Sequence, residues 1–130
     1  MKAITGDKRL SENTEALLAL VTQSLEQDKA LEPVVIDLRG KTTIADYMVV
    51  ATGTSDRHIV TMAEKLRMRL DQAGVRVLSV EGLEEASWVL VDIGDVIVHL
   101  FRAERRALYD IERLWSVAAP REREAVRAVG

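Results

Sequence analysis

Between Glu81 and Asp95 the chain carries five acids, Glu81, Glu84, Glu85, Asp92 and Asp95, and no lysine or arginine. Trp88 stands inside this run. Acids of one sign steer a basic partner, and a tryptophan among them supplies apolar area to anchor it. The same residues also read as a core tryptophan beside a solvated acidic loop, and the pattern leaves both readings open. As a strand, the segment puts Trp88, Leu90 and Asp92 on one face and Val89 and Val91 on the other. An unpaired buried carboxylate is costly, so Asp92 favours an exposed face for its set. His99 follows between Val98 and Leu100. It reads as a hydrogen-bonded, partly buried histidine, and its ordinary pKa of about 6.5 would also let it respond to pH.

A second group begins at Gly53-Thr54-Ser55, a turn between a strand-like run and a helix start, where backbone N–H groups can hold an anion. The turn resembles the Gly-Ser start of nucleotidyltransferase enzymes, which need two carboxylates further along to hold magnesium. The corresponding stretch reads Lys65-Leu66-Arg67-Met68-Arg69. Basic residues stand where acids are required, so neither a metal nor a cofactor is expected. No Gly-Lys-Ser/Thr follows, so the turn is not a Walker loop. Ser55, Asp56 and His58 crowd one turn without an oriented base, which argues against a triad. The chain has two histidines and no cysteine, too few of either for a typical zinc site. Asp46 interrupts an apolar run, so it lies at an edge or is satisfied by hydrogen bonds, with Tyr47 on the opposite face. Asp46, Tyr47, Gly53, Ser55, Arg57 and His58 form a secondary candidate surface. A nucleotide-binding or nucleotidyl-transferring enzyme is the alternative to a binding protein.

The chain has 130 residues, a length that suits one domain with one core. Lysine and arginine total 18 against 21 aspartates and glutamates, a net charge of −3. That balance argues against a protein whose main contact is a phosphate backbone. It leaves open a basic protein partner, which a local acidic patch would attract. No apolar run reaches the roughly 20 residues that span a bilayer, and residues 1–10 hold no signal core. The expectation is a cytoplasmic protein with no membrane contact.

The elements that must position these residues follow from periodicity. A first helix is predicted over Glu12–Lys29, capped by Ser11, with Leu17, Leu18, Val21 and Leu25 on one stripe. Pro33 stops it. Strands are predicted over 34–38 and 44–51, the second apolar enough to be covered on both faces. A second helix over 57–73 buries Ile59, Met62, Ala63, Leu66 and Leu70, and Gly74 takes its left-handed end. Strands over 75–80, 88–92 and 96–101 follow, the last two an antiparallel hairpin around Gly94, with 81–87 a loop. A last helix over 104–115 puts Ala107, Leu108, Ile111 and Trp115 on one face, and Tyr109 and Trp115 read as core or edge packing. Residues 1–11 read as a loose N-terminus and 117–130 as a charged, mobile tail. The sum is an α/β (α+β) domain over 12–116, a single mixed sheet of about five strands with helices packed on it.

Read together, several segments resemble the ribosomal silencing factor family, also called RsfS or Iojap. They are Ile44-Ala45-Asp46-Tyr47, Gly53-Thr54-Ser55 with Arg57-His58, Glu81-Gly82, the run Trp88 to Phe101, and Tyr109-Asp110-Ile111-Glu112-Arg113-Leu114-Trp115. The resemblance covers residues 12–116 and is most specific in the last two segments. It implies a nucleotidyltransferase-like fold without the activity, and a factor that binds the large ribosomal subunit at its protein L14. Docked there, such a factor blocks joining of the small subunit and lowers translation when nutrients are scarce. It also implies self-association as a homodimer. The acidic cluster around Trp88 supplies the expected surface for such docking: Glu81, Glu84, Glu85, Trp88, Leu90, Asp92, Asp95 and His99.

Overall fold

The computed structural model describes residues 13–116. The readings made for 1–11, for the Ser11 cap and for 117–130 lie outside the described residues. In chain order the elements are α1 (Thr14–Gln27), β1 (Leu31–Asp37), β2 (Tyr47–Gly53), α2 (Asp56–Gln72), β3 (Ser79–Glu81), β4 (Trp88–Asp92), β5 (Val96–Arg102), α3 (Ala103–Tyr109) and α4 (Ile111–Ser116). The strands form one mixed sheet in the order β1-β2-β5-β4-β3. β2 and β5 run parallel at its centre, and the other neighbours are antiparallel.

The central pair explains the near-continuous apolar runs in the sequence. All seven residues of β2 are buried, as a strand covered on both faces requires. One face is closed by α1 and α2. Leu17, Val21 and Leu25 of α1 and Ile59, Met62, Ala63, Leu66 and Leu70 of α2 pack on Val49, Ala51, Val89, Val91, Val98 and Leu100. The opposite face carries a smaller core of Ile36, Leu38, Ala45, Met48, Val50 and Phe101, with Trp88, Ile97, Ile111 and Trp115 packed against it.

Polar side chains tie α1 to α2. Arg69 donates from Nη1 to Asp28 Oδ2 at 2.7 Å, to Ser24 Oγ at 2.8 Å and to the Ser24 carbonyl at 3.2 Å. These are the last carbonyls and side chains of α1, where a cation is favoured by the helix dipole. Lys65 and Arg67 point outward and are exposed. At the other end of α2, Thr54 N–H donates to His58 Nδ1 at 2.9 Å, and His58 Nε2 donates to the Asp28 carbonyl at 2.8 Å. One neutral tautomer, protonated at Nε2, satisfies both bonds.

Several boundaries differ from the periodicity, each for a local reason. α1 starts later than predicted, at Thr14, because the Asn13 side chain accepts from Ala16 N–H at 3.1 Å and caps it. β1 begins at Leu31 and includes Pro33, which an edge strand tolerates. A bulge between Leu31 and Val34 absorbs the misfit. β2 begins at Tyr47 rather than Ile44, which is 66% exposed. Asp46 lies just before the strand and accepts from Thr14 Oγ1 at 3.3 Å. β3 is only Ser79–Glu81, so Glu81 belongs to the sheet rather than to the following loop. The single helix predicted over 104–115 is two. Asp110 adopts the left-handed conformation at φ +50 and closes α3 on Arg106. The break removes Leu108 from the buried face, leaving it 71% exposed, while Ile111 and Trp115 pack on the second core.

Replacing Arg69 by alanine leaves the Asp28 carboxylate unpaired beside the helix junction. Urea unfolding is expected to show a loss of about 3 kcal/mol, the cost of breaking a largely buried pair. Lys65→Ala on the exposed face of the same helix is expected to change stability by less than about 0.5 kcal/mol.

Candidate functional site

The register of the sheet assembles the site on its second face. Glu81, Leu90, His99, Val50 and Val34 lie in one row across five strands. Trp88, Phe101 and Thr52 form the row beside it, and Asp92, Ile97 and Met48 the row on its other side. Cross-strand partners share a face, so Trp88, Leu90, Asp92, Glu81 and His99 converge, as alternation predicts for the first three. α3 and α4 cover this face over β1, β2 and β5. Lys41 Nζ fastens α4 by donating to the Trp115 carbonyl at 2.7 Å. Towards β4 and β3 the cover thins: Trp88, Leu90, Asp92 and Ile97 are partly exposed, and Glu81 is exposed.

Trp88 packs against the second core and is also partly open to solvent. Its ring packs on Phe101 at 5.0 Å between centroids and on Tyr109 at 4.7 Å. Its indole Nε1 donates to His99 Nδ1 at 2.9 Å. His99 is 5% exposed, and accepting at Nδ1 places its ring proton on Nε2. Burial pushes the imidazole down to about 4, below its ordinary 6.5.

The acids surround this cluster in different ways. The loop after β3 is tightly held: Gly82 sits at φ +93, and a Cβ there would run into the Trp88 carbonyl oxygen. Ala86, at φ +60 and buried, donates its N–H to the Gly82 carbonyl at 2.8 Å. Glu84 and Glu85 project from this fixed loop and are exposed. Asp92 accepts from Gly94 N–H at 2.9 Å and stabilises the β4–β5 turn. Asp95 lies in that turn, and its carbonyl accepts from the N–H groups of Asp46 and Tyr47 at 2.8 and 3.1 Å.

The secondary set does not converge. Asp46 and Tyr47 stand at the start of β2, and Gly53, Ser55, Arg57 and His58 beyond its other end. Tyr47 is buried in the helix-side core. A Cβ on Gly53 would crowd the Ile59 side chain, which accounts for glycine there. Ser55 caps α2 by accepting from His58 N–H at 3.0 Å. The turn therefore closes on its own side chains. Among the described residues no group of three or more His, Asp or Glu could hold a metal ion. Sequence reasoning missed two members of the aromatic cluster as site residues. Phe101 follows His99 by two positions, so alternation could have found it. Tyr109 depends on the break at Asp110, which periodicity does not signal.

These features define a class: a small α/β domain whose mixed five-stranded sheet is closed by two long helices on one face and only partly by two short ones on the other. Known proteins of this kind are found in sequence and in structure. The family described as "Ribosomal silencing factor during starvation" (RsfS) matches residues 11–129. The chain is 54% identical to the ribosomal silencing factor RsfS of Zymomonas mobilis over 101 residues, 78% of this chain and 76% of the relative. It is 34% identical to that of Bacillus subtilis over 106 residues, 82% of this chain and 90% of the relative. A crystal structure of a Chromobacterium violaceum protein superposes with a TM-score of 0.76 at 38% identity, covering 78% of this chain and 84% of that one. The chain belongs to the ribosomal silencing factor family.

His99 makes stability depend on acidity. Its folded pKa is depressed, so the unfolded chain binds the proton more readily. Full stability is present above pH 6.5 and falls as the pH drops towards 4, by about 3 kcal/mol in all. Urea unfolding followed across this range is expected to show that loss, and His99→Asn is expected to remove this component.

Proposed function

We propose that this chain docks on the large ribosomal subunit at its protein L14 and there blocks joining of the small subunit, lowering translation under nutrient limitation. Membership of the ribosomal silencing factor family supports a ribosomal partner. The single observation that carries the site assignment is the partly open aromatic face at Trp88, flanked by Glu81, Asp92 and the Glu84–Glu85 loop. Ribosomal proteins are generally basic, so the acidic rim would speed encounter and weaken with salt. Trp88 and Leu90 would then bury apolar area at the centre. A standard interface takes about 800 Å² per partner, within reach of a domain this size. The block is steric and asks no bond-breaking of any residue.

Homodimerisation, also implied by the family resemblance, is part of the proposal and is read from the sedimentation coefficient of the free protein. The alternative, a nucleotide-binding or nucleotidyl-transferring enzyme, draws no support from the Gly53 turn. Its Thr54 N–H is taken by His58, and Arg69 lies on Asp28 where an acid would be needed.

Co-sedimentation with separated large subunits, scored again for subunit joining, tests the proposal. The wild-type protein is expected to pellet with large subunits and to reduce joined ribosomes. Trp88→Ala is expected to weaken binding by at least about tenfold. The helix-side core lies on the other face of β4, so circular dichroism should still report a folded protein. Glu84→Lys/Glu85→Lys changes only exposed side chains and is expected to weaken binding most at low salt. Wild-type binding by both variants would overturn the site assignment.

A further inference from the structure

We propose that His99 is the positioning residue of the docking face: beneath the sheet surface, its Nδ1 lone pair holds the Trp88 indole in the orientation a partner meets. This rests on the docking reading above and adds to it a residue that acts without touching the partner.

The row that contains His99 is otherwise apolar at its neighbours, Val50 on one side and Leu90 on the other. A valine or leucine at 99 would pack there without burying a polar ring, and polar burial costs free energy unless it is matched by hydrogen bonds. Here the match is Trp88 Nε1–H, 2.9 Å from His99 Nδ1. Trp88 and His99 are diagonal neighbours, since Trp88 lies opposite Phe101 and His99 opposite Leu90. Aromatic contacts alone leave an indole free to turn over in its slot. Phe101 and Tyr109 define the slot, and the single directional bond to His99 selects one of its two orientations. The His99 ring in turn lies 8° from parallel with Phe101, at 5.8 Å. The chain thus runs from a buried imidazole through a half-buried indole to the surface. An anchor held in its bound orientation loses less freedom on binding.

Four variants test this against a purely structural role: His99→Leu removes the acceptor, His99→Asn supplies one near the same place, Trp88→Phe removes the donor while keeping a ring, and Trp88→Phe/His99→Leu removes both. Binding to purified large subunits is measured by co-sedimentation. The Trp88 indole ¹H–¹⁵N resonance, assigned with Trp115→Phe, reports the bond directly. His99→Leu is expected to shift that resonance upfield and to weaken binding by about fivefold or more, while His99→Asn restores binding to within about twofold. His99→Leu added to Trp88→Phe is expected to cost nothing further, because it acts only through the indole N–H. Folded His99→Leu that binds like the wild type overturns the proposal, as does His99→Asn that binds as weakly as His99→Leu. If His99→Leu does not fold, Trp88→Phe decides: undiminished binding overturns the proposal. Failure of the docking reading looks different, because Trp88→Ala and Glu84→Lys/Glu85→Lys would then both bind normally.

Discussion

The parallel pairing of β2 with β5 is the constraint on which the rest depends. A parallel pair at the centre of a sheet needs cover on both faces, and the chain distributes that cover unequally. α1 and α2 provide 14 and 17 residues on one side. α3 and α4 provide 7 and 6 on the other. Two short helices reach across β1, β2 and β5 and then run out. The sheet beyond them must either be polar or stay partly bare. It does both, with Glu81 and Asp92 beside Trp88, Leu90 and Ile97. The candidate site is thus a consequence of how the fold covers its centre.

Buried and partly buried polar groups hold this arrangement in register. Arg69, Ser24 and Asp28 lock the end of α1 to α2, and His58 links the α2 start to the same corner. Both contacts act on the helix side, where their loss would loosen the cover over β2. His99 does the corresponding work on the opposite face, where it accepts from the Trp88 indole and lies against the Trp88 and Phe101 rings. Each histidine accepts at Nδ1 and so carries its proton on Nε2.

The sequence makes some of this legible because the signals are local. The helical spacing of Ile59, Met62, Ala63, Leu66 and Leu70 identifies the buried stripe of α2, since one helix face must be apolar to pack on a sheet. Gly94, at φ +96, marks the β4–β5 hairpin for a similarly local reason. Alternation separates Trp88, Leu90 and Asp92 from Val89 and Val91 without any knowledge of neighbours. What periodicity misses is set by distant contacts or by rare backbone states. Nothing in Tyr109-Asp110-Ile111 requires a left-handed residue, so the helix break, the exposure of Leu108 and the placement of Tyr109 on Trp88 are invisible beforehand. β3 is three residues long, pairing Ser79–Glu81 with Leu90–Asp92, and Gly82 at φ +93 turns the chain directly after it. The bond from Trp88 to His99 needs the β4–β5 register, which hydrophobic pattern alone does not supply.

Rigidity connects the fold to the proposed activity. A factor that blocks subunit joining by its bulk gains nothing from a flexible surface, because every side chain ordered on docking subtracts from affinity. The open face is prepared against that loss. The Gly82–Ala86 loop is pinned against the Trp88 backbone, Asp92 is engaged by the turn at Gly94, and the Trp88 ring is fixed by packing and by His99. The exposed tips of Glu81, Glu84 and Glu85 can follow the charges of a partner. Long-range attraction through mobile acids and short-range fit through a fixed aromatic centre are then separate contributions. Salt would act on the first and core substitutions on the second. A domain with a single small core on this side can present such a surface because its main stability resides on the other face of the same strands.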